Sequence, residues 1–422
     1  MKKRIIILML IIPLFLFMSC PPEKNEPIEL EIYETYCTSI ELKITMLDST
    51  TEKKYSVKRN DSLIATGTMT DNQTIITDEN LEPNTQYTYK AYSKNDESEI
   101  VTAITMDTTS HNFTWTIDTL GIYGSALRDV TIIDENNIWV VGEIKTDSTN
   151  YNAAHWNGEE WELIKILSGN SAVSAIIYFN EDDMWVSIGS FPVNWNGNEW
   201  TLFHLHNMGI DADICQSIWG SSSEDIYFVG NSGSIVHYDG NNFEKMESGT
   251  KVQLDDVSGN DNNVFAAGYE NMGDNAGKSV ALVYENNEWQ TIKYEDHFYP
   301  NNSREWGLIS TVWAKRNKAY IMTYSGLREY YSGKIIATRS QLGNSRYHID
   351  DITGNDLNDY FLLHGLAGFI HYNGYSWHQY NEISNQYTIR SYKADFKNNT
   401  IVAVGYMGSL IHAVIITGKR NN

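Results

Sequence analysis

A short phrase recurs along the later three quarters of this 422-residue chain: an aromatic residue, then Asn or Asp, then Gly, with a second aromatic three residues further on. It stands at Trp156-Asn157-Gly158 with Trp161, Trp195-Asn196-Gly197 with Trp200, Tyr238-Asp239-Gly240 with Phe243, and Tyr372-Asn373-Gly374 with Trp377. Looser copies stand at Tyr284-Glu285-Asn286 with Trp289 and at Tyr331-Ser332-Gly333. Asn-Gly and Asp-Gly accept positive φ at both centres of a tight type I′ turn, so each phrase marks two adjacent antiparallel strands. Copies lie about 40 to 47 residues apart, the length of a four-stranded propeller blade.

Each unit also carries an apolar strand, closed by Gly in most copies. These are Ile138 to Gly142, Met184 to Gly189, Ile226 to Gly230, Val264 to Gly268, Ala319 to Met322, Tyr360 to Leu363 and Ile401 to Gly405. Strands apolar on both faces suit the middle of a blade packed between two neighbours. Seven such strands predict seven blades. The last unit, from Ile389 to about Thr417, has no room for a fourth strand before Asn422. His111 to Ile117 mimics the outer-strand phrase Gly158 to Ile164, so segment 111–120 is expected to close the ring and leave no long open edge. The propeller is then expected over 111–418.

The best-formed unit, Ile218 to Gly240, resembles the Asp-box-like repeats of bacterial exported propellers and is similar to those of propeller-type photosystem II assembly factors. Kelch Gly-Gly pairs and WD40 signatures are missing. A true sialidase Asp box is also missing, and the Arg residues of the ring do not recur at equivalent blade positions.

The chain opens on Met1-Lys2-Lys3-Arg4, an apolar run from Ile5 to Met18, and Ser19-Cys20. A basic start, a short apolar core and a small residue before the cut describe a signal peptide over 1–19. Phe17-Met18-Ser19-Cys20 resembles a bacterial lipobox, which implies lipidation of Cys20 and a lipid-anchored cell-envelope protein. Residues 20–27, rich in Pro and Glu, read as a tether. No later apolar run approaches the roughly 20 residues that cross a bilayer, so the membrane is reached only through the lipid.

Residues 28–106 form a separate expectation. Ile40, Leu42 and Ile44 alternate with polar residues, as do Tyr55 with Val57 and Tyr87, Tyr89 with Ala91; Arg59-Asn60-Asp61 supplies a turn. Leu81 to Tyr89 resembles the E-to-F corner of a fibronectin type III domain, with Tyr87 as the corner tyrosine. The Trp common on strand B is absent, with Ile44 or a neighbour in its place. All twelve Trp lie beyond residue 112, which sets the two regions apart. The fold class is therefore all-β: a fibronectin type III-like sandwich, then a seven-bladed propeller.

The formal charge is −23, and loss of Lys2, Lys3 and Arg4 with the leader leaves 28 basic against 54 acidic residues, or −26. Such a balance argues against nucleic acid as a partner. Cys37 and Cys215 fall in different domains, so no structural disulfide is expected. No Gly-rich phosphate cradle precedes a helix, and no cofactor is expected. His204-Leu205-His206 with Asp211 and Asp213 has metal-binding residue types, but two polar residues on a strand end account for it more simply, and no metal is expected. Asn271 to Asn275 lacks the acidic ladder of a calcium loop.

The repeated aromatics Trp161, Trp200 and Trp377 hold a fixed place in every unit, which points to packing rather than sugar stacking. Among the loops, two of the longest are neighbours, and their Tyr269, His297, Tyr299, Arg304 and Trp306 have the composition of a binding hot spot. No catalytic set can be assembled. The first reading is thus a monomeric, non-catalytic envelope module that binds a protein or a glycan. A carbohydrate-active hydrolase or lyase in the central funnel, and a structural or assembly factor for another envelope protein, are the alternatives.

Overall fold

The computed structural model describes residues 28–47, 52–94, 96–169, 171–271, 276–298, 306–323, 326–331, 333–339, 349–364, 368–384, 389–408 and 412–421. The chain divides into two compact units, Met1–Met106 and Asp107–Asn422. Residues 1–27, with the expected signal peptide and Cys20, lie outside the described residues, among which no helix is long and apolar enough to cross a membrane.

The first unit has seven strands: β1 (Glu29–Thr35), β2 (Ser39–Thr45), β3 (Lys53–Arg59), β4 (Ser62–Met69), β5 (Gln73–Glu79), β6 (Gln86–Tyr92) and β7 (Val101–Ile104). They pair as β1-β2-β5 and β4-β3-β6-β7. Period-two alternation puts Ile40, Leu42 and Ile44 of one sheet against Val57, Tyr89 and Ala91 of the other, in one shared core. Asn60 and Asp61, at φ 46° and 66°, make the two-residue β3–β4 turn. The Tyr87 hydroxyl accepts the Glu82 N–H at 3.0 Å, which fixes the corner before β6.

The second unit holds seven four-stranded antiparallel sheets among the described residues. Blade 1 spans Ala126–Asp134, Asn137–Lys145, Asn150–Trp156 and Trp161–Ile164, here called strands a to d from the centre outward. Blades 2 to 6 begin with Ala175–Asn180, Cys215–Ser222, Asp256–Gly259, Ile309–Lys315 and Ile349–Asp356. Blade 7 has Ile389–Lys397, Thr400–Met407 and His412–Arg420, and takes Phe113–Leu120 as its strand d. Ala413 pairs with Leu120 and Arg420 with Phe113 along this shared edge. Each strand a contacts the next, and that of blade 7 contacts that of blade 1, so the ring is closed.

The recurring phrase joins strands c and d, but not through a type I′ turn. Only Gly158, Gly197, Gly240 and Gly374 have positive φ, between 84° and 94°. The preceding Asn or Asp instead caps a four-residue loop: Asn157 Oδ1 accepts the N–H groups of Glu159 and Glu160, and Asp239 Oδ1 those of Asn241 and Asn242. Two-residue turns with both centres positive occur where Gly is absent, at Asn60-Asp61 and Asn286-Asn287. The phrase aromatics pair across the loop, with ring centroids 5.6 Å apart for Trp156 and Trp161 and 4.7 Å for Tyr372 and Trp377. They also meet the adjoining blade, as Trp185 of blade 2 does Tyr238 of blade 3 at 5.0 Å, so they belong to the framework.

Candidate functional site

The ring centre is polar. One layer of strand-a positions carries Asp129, Ala175, Ser217, Asp256, Thr311, Asp351 and Lys393, one from each blade. Three of the carboxylates accept a backbone N–H from the following blade: Asp129 from Ile176 at 2.8 Å, Asp256 from Val312 at 3.1 Å and Asp351 from Ala394 at 2.8 Å. In the layer beside it, Asp395 accepts Ile132 N–H at 2.7 Å, Ser258 accepts Ala314 N–H at 2.9 Å and Thr353 accepts Phe396 N–H at 3.2 Å. These bonds run one way round the ring and clip blade to blade.

Lys393 crosses the funnel. Its Nζ lies 2.5 Å from Asp256 Oδ1 and 3.3 Å from Asp351 Oδ1, and Thr311 Oγ1 bonds the same two carboxylates. Burial works against the ammonium, but Asp256, Asp351 and Asp129 outweigh it and hold its pKa above the ordinary value. Burial pushes Asp129 up to about 7 and Asp351 up to about 6, against the pull of Lys393. Among the described residues the funnel is thus rich in carboxylates and spanned by the Lys393 ammonium. A glycosidase needs one carboxyl able to protonate a leaving group and open space for sugar and water; here the facing pair shares one ammonium and one hydroxyl.

A second polar chain sits beside the closing strand. His371 Nε2 donates to Asp359 Oδ1 at 2.9 Å, which leaves its Nδ1 to accept from His111 Nδ1 at 2.7 Å, and His111 Nε2 then accepts the Ser376 hydroxyl at 3.0 Å. Burial, with His371, His378 and Arg420 nearby, lowers His111 to about 4. Burial also lowers His371, outweighing Asp359. The Tyr380 hydroxyl donates to His111 O, and Asn373 Nδ2 to Thr109 O, so the group fastens segment 109–113 to blade 6.

On the face bearing the b–c connections and the blade-to-blade connectors lies a cleft of about 390 Å³. Gly249 to Val252 of the connector from blade 3 to blade 4 form one wall, and Glu270, Lys278, Thr291 and Tyr294 of blade 4 the other. Val252 and Val280, both buried, make its floor. Glu270 and Lys278 are cross-strand partners, yet no ion pair or hydrogen bond among the described residues engages either side chain, nor that of Lys251. Tyr294 is 46% exposed.

The loop residues expected to bind are divided by the structure. Tyr269 is half-buried, and its N–H donates to Asp255 Oδ2 at 3.1 Å; strand alternation turns its ring to the side of blade 4 away from the cleft. His297 ends strand d of blade 4, with its side chain outside the described residues; Tyr299 and Arg304 also lie outside them. Trp306 is no exposed loop ring: it is 4% exposed, in a core with Phe265, Ile309 and Tyr330. Glu295 draws it inward by accepting the N–H groups of Trp306 and Gly307, both at 2.9 Å, while Lys293 and Arg328 lie over its ring at 5.7 and 5.5 Å.

His204 to His206 do not lie on a strand, because Leu205–Met208 forms a 3₁₀ turn. Among the described residues no three metal-ligating side chains converge. Most of the Asn271 to Asn275 loop lies outside those residues. Cys37 and Cys215 are reduced and buried, and burial pushes the Cys215 thiol up to about 12.

A scan of protein-family models and a search of curated proteins each find no match. Solved structures do match. One described as YCF48 bound to D1 peptide has a TM-score of 0.53 and 15% identity, over 73% of this chain and 95% of that one. YCF48 from Cyanidioschyzon merolae has a TM-score of 0.47 and 16% identity, over 72% and 98%. BBS1N in complex with ARL6DN has a TM-score of 0.47 and 10% identity, over 74% and 98%. The chain is all-β, and the first of these likenesses sets its second unit among propellers.

Proposed function

We propose that this chain is a non-catalytic protein-recognition module of the bacterial cell envelope. In this reading lipid at Cys20 and the 20–27 tether hold a fibronectin type III-like domain over 28–106 and the propeller over 111–418. The observation that carries it is a contrast between two places. The funnel's carboxylates are committed to backbone N–H groups and to Lys393, whereas the cleft holds Lys251, Glu270 and Lys278 without partners among the described residues. A propeller neighbour with a bound peptide is in keeping with a protein partner. The strand order β1-β2-β5 with β4-β3-β6-β7 and the Tyr87 corner bond support the fibronectin-like assignment.

Affinity capture from detergent-solubilised envelopes, with wild type and Tyr294→Ala side by side, tests the reading. One or more discrete proteins retained by wild type and lost by the variant are expected. Retention of glycans alone would favour a glycan-binding module, and hydrolysis of polysaccharide by the purified chain would favour the funnel hydrolase.

A further inference from the structure

The cleft is built before a partner arrives. Gly233, at φ 71°, lets the Thr250 carbonyl oxygen come within 2.2 Å of where a Cβ would stand, so the connector lies directly on the b–c connection of blade 3. The Val252 N–H donates to Thr250 Oγ1 and the Leu254 N–H to Gly230 O, each at 3.0 Å. Those bonds fix the backbone around Lys251. Lys278 and Glu270 stand on paired strands, and Tyr294 stands opposite Val280 in the next strand. All these side chains therefore rise from rigid elements, which favours recognition over adaptation.

Lys251 and Lys278 both line the cleft without an ion-pair partner among the described residues. Held beside an aromatic ring over an apolar floor, they are placed to meet anions, and the unpaired Glu270 is placed to accept an N–H. An extended acidic peptide supplies both, carboxylates from alternate side chains on one face and N–H groups along its edges. We infer that the cleft docks an extended acidic segment of a partner protein, with Lys251 and Lys278 on its carboxylates, Glu270 on a backbone N–H and Tyr294 against an apolar side chain. This rests on the loop-face reading above. The field of the whole acidic chain repels such a segment at long range, so its affinity comes from these short contacts rather than from steering.

The test titrates the full chain with fluorescent synthetic peptides that carry Asp or Glu at alternate positions, with their Asn and Gln counterparts, and with Lys counterparts. The acidic set is expected to bind, the amide set to bind roughly tenfold or more weakly, and the Lys set not to bind. Lys251→Glu with Lys278→Glu should reverse that preference at an unchanged melting temperature; Lys251→Gln with Lys278→Gln should abolish it. Equal binding of acidic and amide peptides, no binding of any, or acidic binding unmoved by either double variant would overturn the inference. If envelope capture still depends on Tyr294 while acidic peptides fail, only the partner's chemistry is wrong. If capture ignores Tyr294 and both lysines, the loop-face reading fails as well.

Discussion

Lys393 Nζ lies 2.5 Å from Asp256 Oδ1, an ion pair that reaches across the ring from blade 7 to blade 4. Replacing Lys393 with Met keeps the bulk and leaves Asp129, Asp256 and Asp351 without their cation. Loss of one partner of a buried pair typically costs about 3–5 kcal/mol. Asp129 and Asp351 are already raised above their unfolded range, so the folded chain holds more protons and this part of its stability falls as pH rises from about 4 to 7. Without the cation they rise further. Denaturant unfolding of the variant should show the larger deficit at pH 8 and a smaller one at pH 5; an equal deficit at both would mean that the ammonium does not govern these carboxylates.

His111 is lowered to about 4 in the folded chain, so the unfolded chain takes up its proton first. The stability it lends is present above pH 6.5 and is lost as pH falls toward 4. The raised carboxylates run the other way in the same window, so the comparison is made with His111→Gln, which keeps a neutral polar side chain. The difference between wild type and variant should grow from pH 4 to 6.5 and then level off. A difference independent of pH would place the histidine pair outside the linkage.

Ring closure by Phe113–Leu120 is expected to be needed for a stable propeller. A chain beginning at Gly121 exposes the edge of His412–Arg420 and loses the ring contacts of Phe113 with Phe361 and Tyr380. It should aggregate or melt well below one beginning at Asp107. Matching melting curves would show that the strand adds nothing to closure.

Much of this architecture was legible in the sequence, because the phrase aromatics and the apolar strands repeat at blade spacing. The turn type was not, since Asn157 and Asp239 act through their side-chain oxygens and only the glycines take positive φ. The central layer has a sequence signal of its own: Asp129-Val130-Thr131, Asp256-Val257-Ser258 and Asp351-Ile352-Thr353 each precede a blade's apolar strand. A second signal lay within the phrase itself. His155, His237 and His371 come just before its first aromatic, and each bonds the residue that opens strand b: Asn137, Asp225 and Asp359. Trp306 sits in the core and not on the loop face because Glu295 accepts its backbone N–H and that of Gly307, which loop composition does not reveal. The cleft was invisible because Lys251 and Tyr294 are distant in sequence and meet only when blades 3 and 4 pack.

Anchoring is expected to depend on Cys20. A diacylglycerol thioether with an amide-linked chain supplies the two attachments that stable anchoring takes. Cys20→Ser should move the protein to the soluble exported fraction or leave an unprocessed precursor. Unchanged membrane fractionation with a correctly cut N-terminus would rule out the lipid.

Recognition through the loop face is tested most directly by photo-crosslinking in cells. A photoreactive phenylalanine analogue is placed at Tyr294, on the cleft rim, or at Tyr375, which is 68% exposed in a c–d turn on the opposite face. A discrete protein adduct from position 294 and none from position 375 is expected. Adducts from 375 alone, or the same pattern from both positions, would contradict recognition through the cleft.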